Sequence, residues 1–390
     1  MIQENVLVIG AGQAAAQLAV SLRQAGFDRP VTIIGDEPYP PYQRPPLSKK
    51  FLNENGAPES LFLRPPAFWH DQGVALYLGS EARQVDLRQR RLSLQDGREL
   101  DFGVLVFATG ARARSLRLPG IALPNVFSLR NIGDVHQLRP ALDHPRRVAI
   151  IGGGYIGLEV AAGLRAQGHE ATVMEAETRL MKRVMGESAS AFFAEVHRRK
   201  GVDLWLGARL VAIEATTAGL SVRMEPAEVF TVDLVLIATG ARANDELAAT
   251  AGLACDDGIL VDEHAQTEAA NVYAIGDCAR FPSRRYGRRL RLECVQNAID
   301  QAKAAAAAIQ GDKQSYDPVP WFWSDQYDLK LQIAGVMDGH DLAEVKGDPG
   351  VARFSVEYRR AGRLIAVDAI NDARAYMTGR RRIAEETQTS

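Results

Sequence analysis

Two stretches of the chain combine glycine and small residues in a spacing that lets backbone close on a phosphate. Residues 10–15 read Gly10-Ala11-Gly12-Gln13-Ala14-Ala15, and residues 152–157 read Gly152-Gly153-Gly154-Tyr155-Ile156-Gly157. Both fit a G-x-G-x-x-G/A turn: the first glycine makes the bend, the second lets backbone approach a pyrophosphate, and the last small residue allows close helix–strand packing. The helix that follows offers unpaired N–H groups and the positive end of its dipole to a dianion. One such turn is a weak signal, because glycine-rich strand-to-helix turns also occur without a ligand. Two copies, each followed by an acid at the end of the next strand pattern, are a stronger one. Asp36 (or Glu37) follows VTIIG and Glu175 follows ATVM, where a carboxylate accepts hydrogen bonds from ribose.

Glu175 also bears on cofactor choice. A 2′-phosphate beside it would meet a repulsion of about a few kcal/mol at an effective dielectric near 20, so NADH is expected over NADPH. Arg179, Lys182 and Arg183 lie close in sequence and soften that expectation only if they are more than solvated surface charges.

The elements that must position these turns form an internal repeat. VLVIGAGQAA at 6–15 and VAIIGGGYIG at 148–157 share one strand–turn–helix plan, and VLVFATGARA at 104–113 and LVLIATGARA at 234–243 share one closing strand and Ala-Thr-Gly turn. A further short strand, VYAIGD at 272–277, lies after the second unit and is expected to return the chain to the first. The expected division is therefore a first nucleotide-binding domain split into 1–108 and 240–317, a second nucleotide-binding domain at 109–239, and a C-terminal α+β domain at 318–390, where alternating apolar residues suggest antiparallel strands. Contiguous domains are the simpler alternative. The fold class is α/β: two Rossmann-like FAD/NAD(P)-binding domains, glutathione-reductase-like, plus the C-terminal domain.

Composition removes other classes. A net charge of −2 argues against a globally basic nucleic-acid binder. Apolar runs such as 104–108 and 234–238 are strand-length, far short of the ~20 residues a membrane-spanning helix needs, and no apolar signal segment precedes the strand pattern beginning at Val6, so a cytoplasmic protein is expected. The three cysteines, Cys255, Cys278 and Cys294, are too few and too scattered for a disulfide framework, a zinc site or an iron–sulfur cluster, so no metal site is expected. Redox chemistry must then come from a bound organic cofactor. A hydride donor also needs an acceptor, and Asp277 after VYAIG suggests a second carboxylate for a long ribityl cofactor.

The segments GDEPYPPYQRPPLSKKF at 35–51, VYAIGDCA at 272–279, LECVQNAIDQ at 292–301 and PWFWSDQ at 320–326 resemble those of the oxygenase-coupled, FAD-dependent ferredoxin reductases, the putidaredoxin reductase family. The resemblance covers nearly the whole chain. It implies that Asp36 holds the adenosine ribose, that Arg44 and Lys49 lie along the flavin, and that Arg130 and Asp277 reach its pyrophosphate or ribityl regions. Ala82 and Val295 would supply backbone contacts. Ala14, Tyr155, Ile156, Gly240 and Glu293 complete the candidate cofactor-binding set, with Gly152, Gly154 and Gly157 under NAD. Lys49, after the rigid Pro45-Pro46 pair, is placed to set an ammonium near flavin N5, and Glu159 in GLE is placed to pair with it, although a purely structural ion pair is the alternative. Trp323 is the aromatic expected near the isoalloxazine. Trp321 and Phe322 are expected in packing.

The implied function is an NADH-dependent ferredoxin reductase: NADH gives hydride to FAD, and electrons leave singly to a 2Fe-2S ferredoxin serving a haem-thiolate monooxygenase or a ring-hydroxylating dioxygenase. No cysteine precedes Cys255, which argues against the disulfide reductases and NADH peroxidases of the same fold. Between Arg280 and Arg291 the chain carries Arg280, Arg284, Arg285, Arg288, Arg289 and Arg291 without an acid, a stretch suited to an acidic ferredoxin, or else a solvated loop. Two competing functions are an NADH oxidase and a nucleotide-sensing flavoprotein like apoptosis-inducing factor.

Overall fold

The computed structural model describes residues 5–54, 56–225 and 228–388. Its contacts divide the chain into two units. One gathers the chain through Gln43, Ala57–Arg112 and Arg242–Pro320; the other gathers Arg44–Gly56, Ala113–Ala241 and the chain from Trp321 onward.

Strands rich in Val, Ile and Leu, buried on both faces, build the parallel sheet of the first unit, as such runs do. Val6–Ile9 is fully buried and pairs in parallel with Val31–Ile34 on one side and Val104–Phe107 on the other. Val74–Tyr77 extends the sheet at one edge, and Val272–Ala274 closes the other by pairing with Val104–Phe107. Thus two distant stretches of sequence share one sheet. The helices Gln13–Gln24 and Val295–Ile309 pack together through alanines, among them the buried Ala15, Ala19, Ala302 and Ala305, whose small side chains let the backbones approach.

The second unit repeats the plan. Arg147–Ile151 is central, between Glu170–Glu175 and Leu234–Ile237, with Asp203–Leu206 and Val126–Ser128 at the edges. An antiparallel sheet of Arg209–Thr216, Gly219–Glu225 and Glu228–Val232 packs its Leu210, Ile213, Leu220 and Val222 into the same core. The C-terminal part is an antiparallel five-stranded sheet, ordered Trp321–Gln326, Leu329–Gly335, Arg363–Ile370, Arg353–Arg360 and Leu342–Asp348, with the helix Ala373–Gln388 against it. The α/β class with a C-terminal α+β part is borne out. Among the described residues, no helix is long and apolar enough to cross a membrane.

Candidate functional site: two dinucleotide cradles and a buried lysine–glutamate pair

Each glycine turn is a backbone necessity first. Gly10 has φ +108°, and a Cβ there would lie 2.1 Å from the Ala108 carbonyl oxygen; Gly152 has φ +114°, and its Cβ would lie 2.4 Å from the Ala238 carbonyl oxygen. No L side chain fits either position. The second glycines differ. Gly12 and Gly154 are the N-caps of 12-residue helices, neither capped by a side chain, and a Cβ on either would meet nothing within 4 Å. Their freedom serves no intramolecular packing; it leaves open space in front of a helix N-terminus. Gly157 is closed again, because a Cβ there would meet the Gly152 carbonyl oxygen at 2.1 Å.

Around the first turn, Ala14 and Ala15 are buried. Asp36, just past the Val31–Ile34 strand, is exposed, whereas Glu37 accepts a hydrogen bond from Tyr42 Oη at 2.6 Å. Of the two acids, Asp36 is therefore the more available to a ribose. Gly276 N donates to Gln301 Oε1 at 2.8 Å beside the half-buried Asp277, while Gln301 Nε2 is buried with no hydrogen-bond partner. Glu293 pairs with Arg291 at 2.6 Å, and Val295 begins a second helix directed from the same unit, with Cys294 as its N-cap. Ala82 opens the strand Ala82–Asp86.

Around the second turn, the Glu175 carboxylate accepts from Gly153 N at 2.7 Å and Glu177 N at 2.8 Å, so its position is set by the turn itself. Of the nearby cations, Lys182 pairs with Glu177 at 2.6 Å and Arg179 donates to the Met185 and Lys182 carbonyls, while the Arg183 guanidinium lies beside Gly240. The loop after Glu175 is anchored from the C-terminal sheet, where Gly186 N donates to Tyr358 Oη at 3.0 Å and Tyr358 Oη donates to Asp368 at 2.5 Å. Burial pushes the Asp368 carboxyl up to about 7. Ile156 is exposed at the helix start, Tyr155 stacks on Phe322 with centroids 4.4 Å apart, and the buried Thr239 Oγ1 beside Gly240 has no hydrogen-bond partner.

The charged centre of the second unit is Lys49 with Glu159. Their atoms are 2.7 Å apart, with side chains 24% and 4% exposed. Lys49 follows the short helix Pro45–Ser48, where two prolines preset the turn, and Glu159 sits one turn into Tyr155–Ala166, facing inward. Sequence reasoning foresaw this pair but missed its other partners. Ser48 Oγ and Ser324 Oγ each donate to Glu159 at 2.6 Å. Both serines stand in the PPLSK and PWFWSDQ motifs, beside the lysine and the tryptophan. Strand alternation sorts the aromatic motif: Phe322, Ser324 and Gln326 point one way, toward Tyr155, Glu159 and His197, while Trp321 lies under Arg380 of the C-terminal helix on the opposite face. Trp323 shares that opposite face with Trp321, centroids 5.7 Å apart. Arg44 donates to the Arg130 carbonyl at 2.9 Å, and Arg130 N donates to Asp134 at 2.6 Å.

The cysteines stand apart from such chemistry. All three are free, and burial pushes the Cys255 thiol to about 11 and the Cys294 thiol to about 12, and raises Cys278 as well. They are protonated at neutral pH and offer no thiolate nucleophile.

Two Rossmann-type cradles joined to a C-terminal sheet define a flavin- and pyridine-nucleotide-dependent oxidoreductase. Residues 4–302 match the pyridine nucleotide-disulphide oxidoreductase family and residues 321–390 match the reductase C-terminal family. The chain is 41% identical, over 98% of its length and 94% of the relative's, to the 5,5'-dehydrodivanillate O-demethylase ferredoxin reductase subunit of a Sphingobium species. It is 40% identical, over 98% and 90%, to rhodocoxin reductase of Rhodococcus erythropolis. The reductase in the covalent putidaredoxin reductase–putidaredoxin complex superposes with a TM-score of 0.95 at 36% identity, over 99% of this chain and 94% of that one. The chain belongs to the pyridine nucleotide-disulphide oxidoreductase family, among its ferredoxin reductases, and the resemblance drawn from the sequence motifs is borne out. Its cofactors are FAD and NAD(H). The residues present fit both: two open, uncapped helix N-termini can take pyrophosphates, and the unpartnered Gln301 Nε2 and Thr239 Oγ1 are buried polar atoms, each in the unit of one cradle.

Proposed function

We propose that this protein is an NADH-dependent ferredoxin reductase that feeds electrons to a 2Fe-2S ferredoxin and, through it, to a haem-thiolate monooxygenase or ring-hydroxylating dioxygenase. The observation that carries the proposal is the pair of open helix N-termini at Gly12 and Gly154, one in each unit. Residues 1–108 with 240–317 act as the FAD-binding domain, 109–239 as the NAD-binding domain and 318–390 as the C-terminal domain; the shared sheet of Val6–Ile9, Val104–Phe107 and Val272–Ala274 supports the split first domain. When bound, FAD supplies the conversion of a two-electron hydride donor into one-electron steps. The chain's own residues bind and orient. Gly10, Gly12, Ala14, Ala15, Asp36, Ala82, Asp277, Glu293 and Val295 hold the FAD dinucleotide, and Arg44 and Arg130 are the further basic residues assigned to it. Gly152, Gly154, Tyr155, Ile156, Gly157, Glu175 and Gly240 hold NADH. Lys49, fixed by Glu159, sets a positive charge at the flavin edge where electron density rises on reduction, and Trp323 borders the ring. The cytoplasm, where NADH is made, suits this chemistry.

NADH oxidation assayed with and without a 2Fe-2S ferredoxin tests the proposal. Strong stimulation by ferredoxin is expected. A high rate to oxygen alone marks an oxidase, and no turnover at all marks a sensor.

The fixed Glu175 carboxylate makes a second expectation. Glu175→Gln removes the charge at constant shape and raises the ratio of kcat/KM for NADPH over NADH about tenfold. An unchanged ratio would place discrimination elsewhere.

For ferredoxin docking, Arg284, Arg288 and Arg289 are exposed, while Arg285 is half-buried and donates its backbone N–H to Asp317. Arg280 pairs with Asp256, Arg284 with Glu263, and Arg291 with Asp257 and Glu293, so those three charges are largely compensated. Reversing Arg288 and Arg289 to Glu should slow ferredoxin reduction about tenfold at low salt, with the deficit shrinking as salt rises. Equal rates at low salt would move the docking surface off this hairpin.

A further inference from the structure

Glu159 is the end point of a longer buried chain of polar groups, all within the second unit. Ser324 Oγ lies 2.6 Å from Glu159 Oε1, Gln326 Nε2 3.2 Å from Ser324 Oγ, His197 Nε2 2.9 Å from Gln326 Oε1, and Tyr327 Oη 3.2 Å from His197 Nδ1. Ser324, Gln326 and His197 are at most 1% exposed. The chain reaches partial exposure at Tyr327, where the Lys200 ammonium stands 5.5 Å above the ring.

The direction of every hydrogen bond follows from one end. The Glu159 carboxylate, paired with the Lys49 ammonium at 2.7 Å, only accepts, so Ser324 must donate its single proton to it. The serine oxygen can then only accept, which turns the NH2 of Gln326 toward it and the Gln326 oxygen toward His197. An oxygen acceptor there requires a proton on His197 Nε2. In a neutral imidazole that leaves Nδ1 bare, to accept from Tyr327. Burial lowers the pKa of His197, more than the hydrogen bond to Gln326 raises it, in keeping with a neutral ring. Every donor points toward the carboxylate, so the dipoles add and polarise one another.

We propose that Ser324, Gln326, His197 and Tyr327 are positioning residues for hydride transfer: a one-way donor chain that holds the Glu159 carboxylate in place, and through it the Lys49 ammonium. A half-made version of this chain would leave a buried acceptor facing a buried acceptor, so it works as a unit or fails as one. The chain also couples the C-terminal sheet to the lysine, since Ser324 and Gln326 lie on its first strand, Trp321–Gln326.

The proposal rests on the NADH and FAD reading above only in what Lys49 does, so two readouts are needed. The first is the tautomer of His197 in the wild-type holoenzyme, from long-range 15N–1H correlation, its signal among the seven histidines assigned by its loss in His197→Gln. A neutral ring with the proton on Nε2 is expected; a proton on Nδ1 overturns the chain, whatever the enzyme's function. The second is anaerobic stopped-flow reduction of the bound flavin by NADH. Ser324→Ala should lower the limiting rate about tenfold with the NADH dissociation constant unchanged, and Ser324→Thr, which keeps the hydroxyl, should restore it. A Ser324→Ala rate equal to wild type, or a Ser324→Thr variant as slow as Ser324→Ala, overturns the positioning role. If the wild type itself is not reduced by NADH, the proposed function fails, while the tautomer still decides whether the chain exists.

Discussion

Lys49→Met should slow NADH-dependent reduction of the bound flavin about a hundredfold and destabilise the protein by about 3 kcal/mol, because it strands a buried carboxylate. Glu159 is 4% exposed and would keep only the hydroxyls of Ser48 and Ser324 as partners. The double variant Lys49→Met with Glu159→Gln separates the two losses. Neutralising the carboxylate recovers most of the stability, since no uncompensated charge remains, but it does not bring back a positive charge at the flavin edge, so the rate stays low. Urea denaturation and stopped-flow reduction measure the two quantities on the same samples. If the double variant regains both, the pair is a structural ion pair and nothing more.

Substitution at the NADH turn should split stability from binding in a different way. Gly154 has φ −84° and ψ −175°, backbone that any residue adopts, and a Cβ there meets nothing within 4 Å. Gly154→Val should therefore fold and hold FAD with an unchanged Tm, yet bind NADH about a hundredfold more weakly, because its side chain fills the space a pyrophosphate needs. Two residues earlier the outcome reverses. Gly152→Ala forces φ +114° on a residue with a Cβ 2.4 Å from the Ala238 carbonyl oxygen, at a cost of about 2–4 kcal/mol before any ligand arrives. Thermal melts and equilibrium NADH titration distinguish the two. Unchanged NADH affinity in Gly154→Val would mean that the open space before the helix is not where the dinucleotide lies.

These contrasts also show what the linear chain discloses. Glycine spacing and the runs of buried Val, Ile and Leu are local signals, so both parallel sheets and both turns could be read directly, down to the Glu175 carboxylate two elements beyond its turn. The surroundings of Glu159 could not. Its partners Ser48 and Ser324 lie 111 and 165 positions away, so that the three residues come from separate segments that only packing brings together. No shift in composition marks the passage of Arg44–Gly56 from the contacts of the first unit to those of the second, although Lys49 travels with it. The aromatic run at 321–323 looked uniform, yet the two-residue period of a strand turns Phe322 toward Tyr155 and the tryptophans away from it. The arginine-rich hairpin is visible as charge, but the acids that answer Arg280, Arg284 and Arg291 are Asp256, Glu263 and Asp257, outside the arginine-rich stretch 280–291.

One anaerobic experiment bears most directly on the transfer from a nicotinamide donor through flavin to an iron–sulfur acceptor. Holoenzyme is titrated with NADH until the flavin absorbance is bleached, then mixed with oxidised 2Fe-2S ferredoxin. The account predicts bleaching by one equivalent of NADH and full return of the flavin colour as two equivalents of ferredoxin are reduced. Flavin that stays oxidised with NADH, or that bleaches and is not reoxidised by ferredoxin, would contradict it.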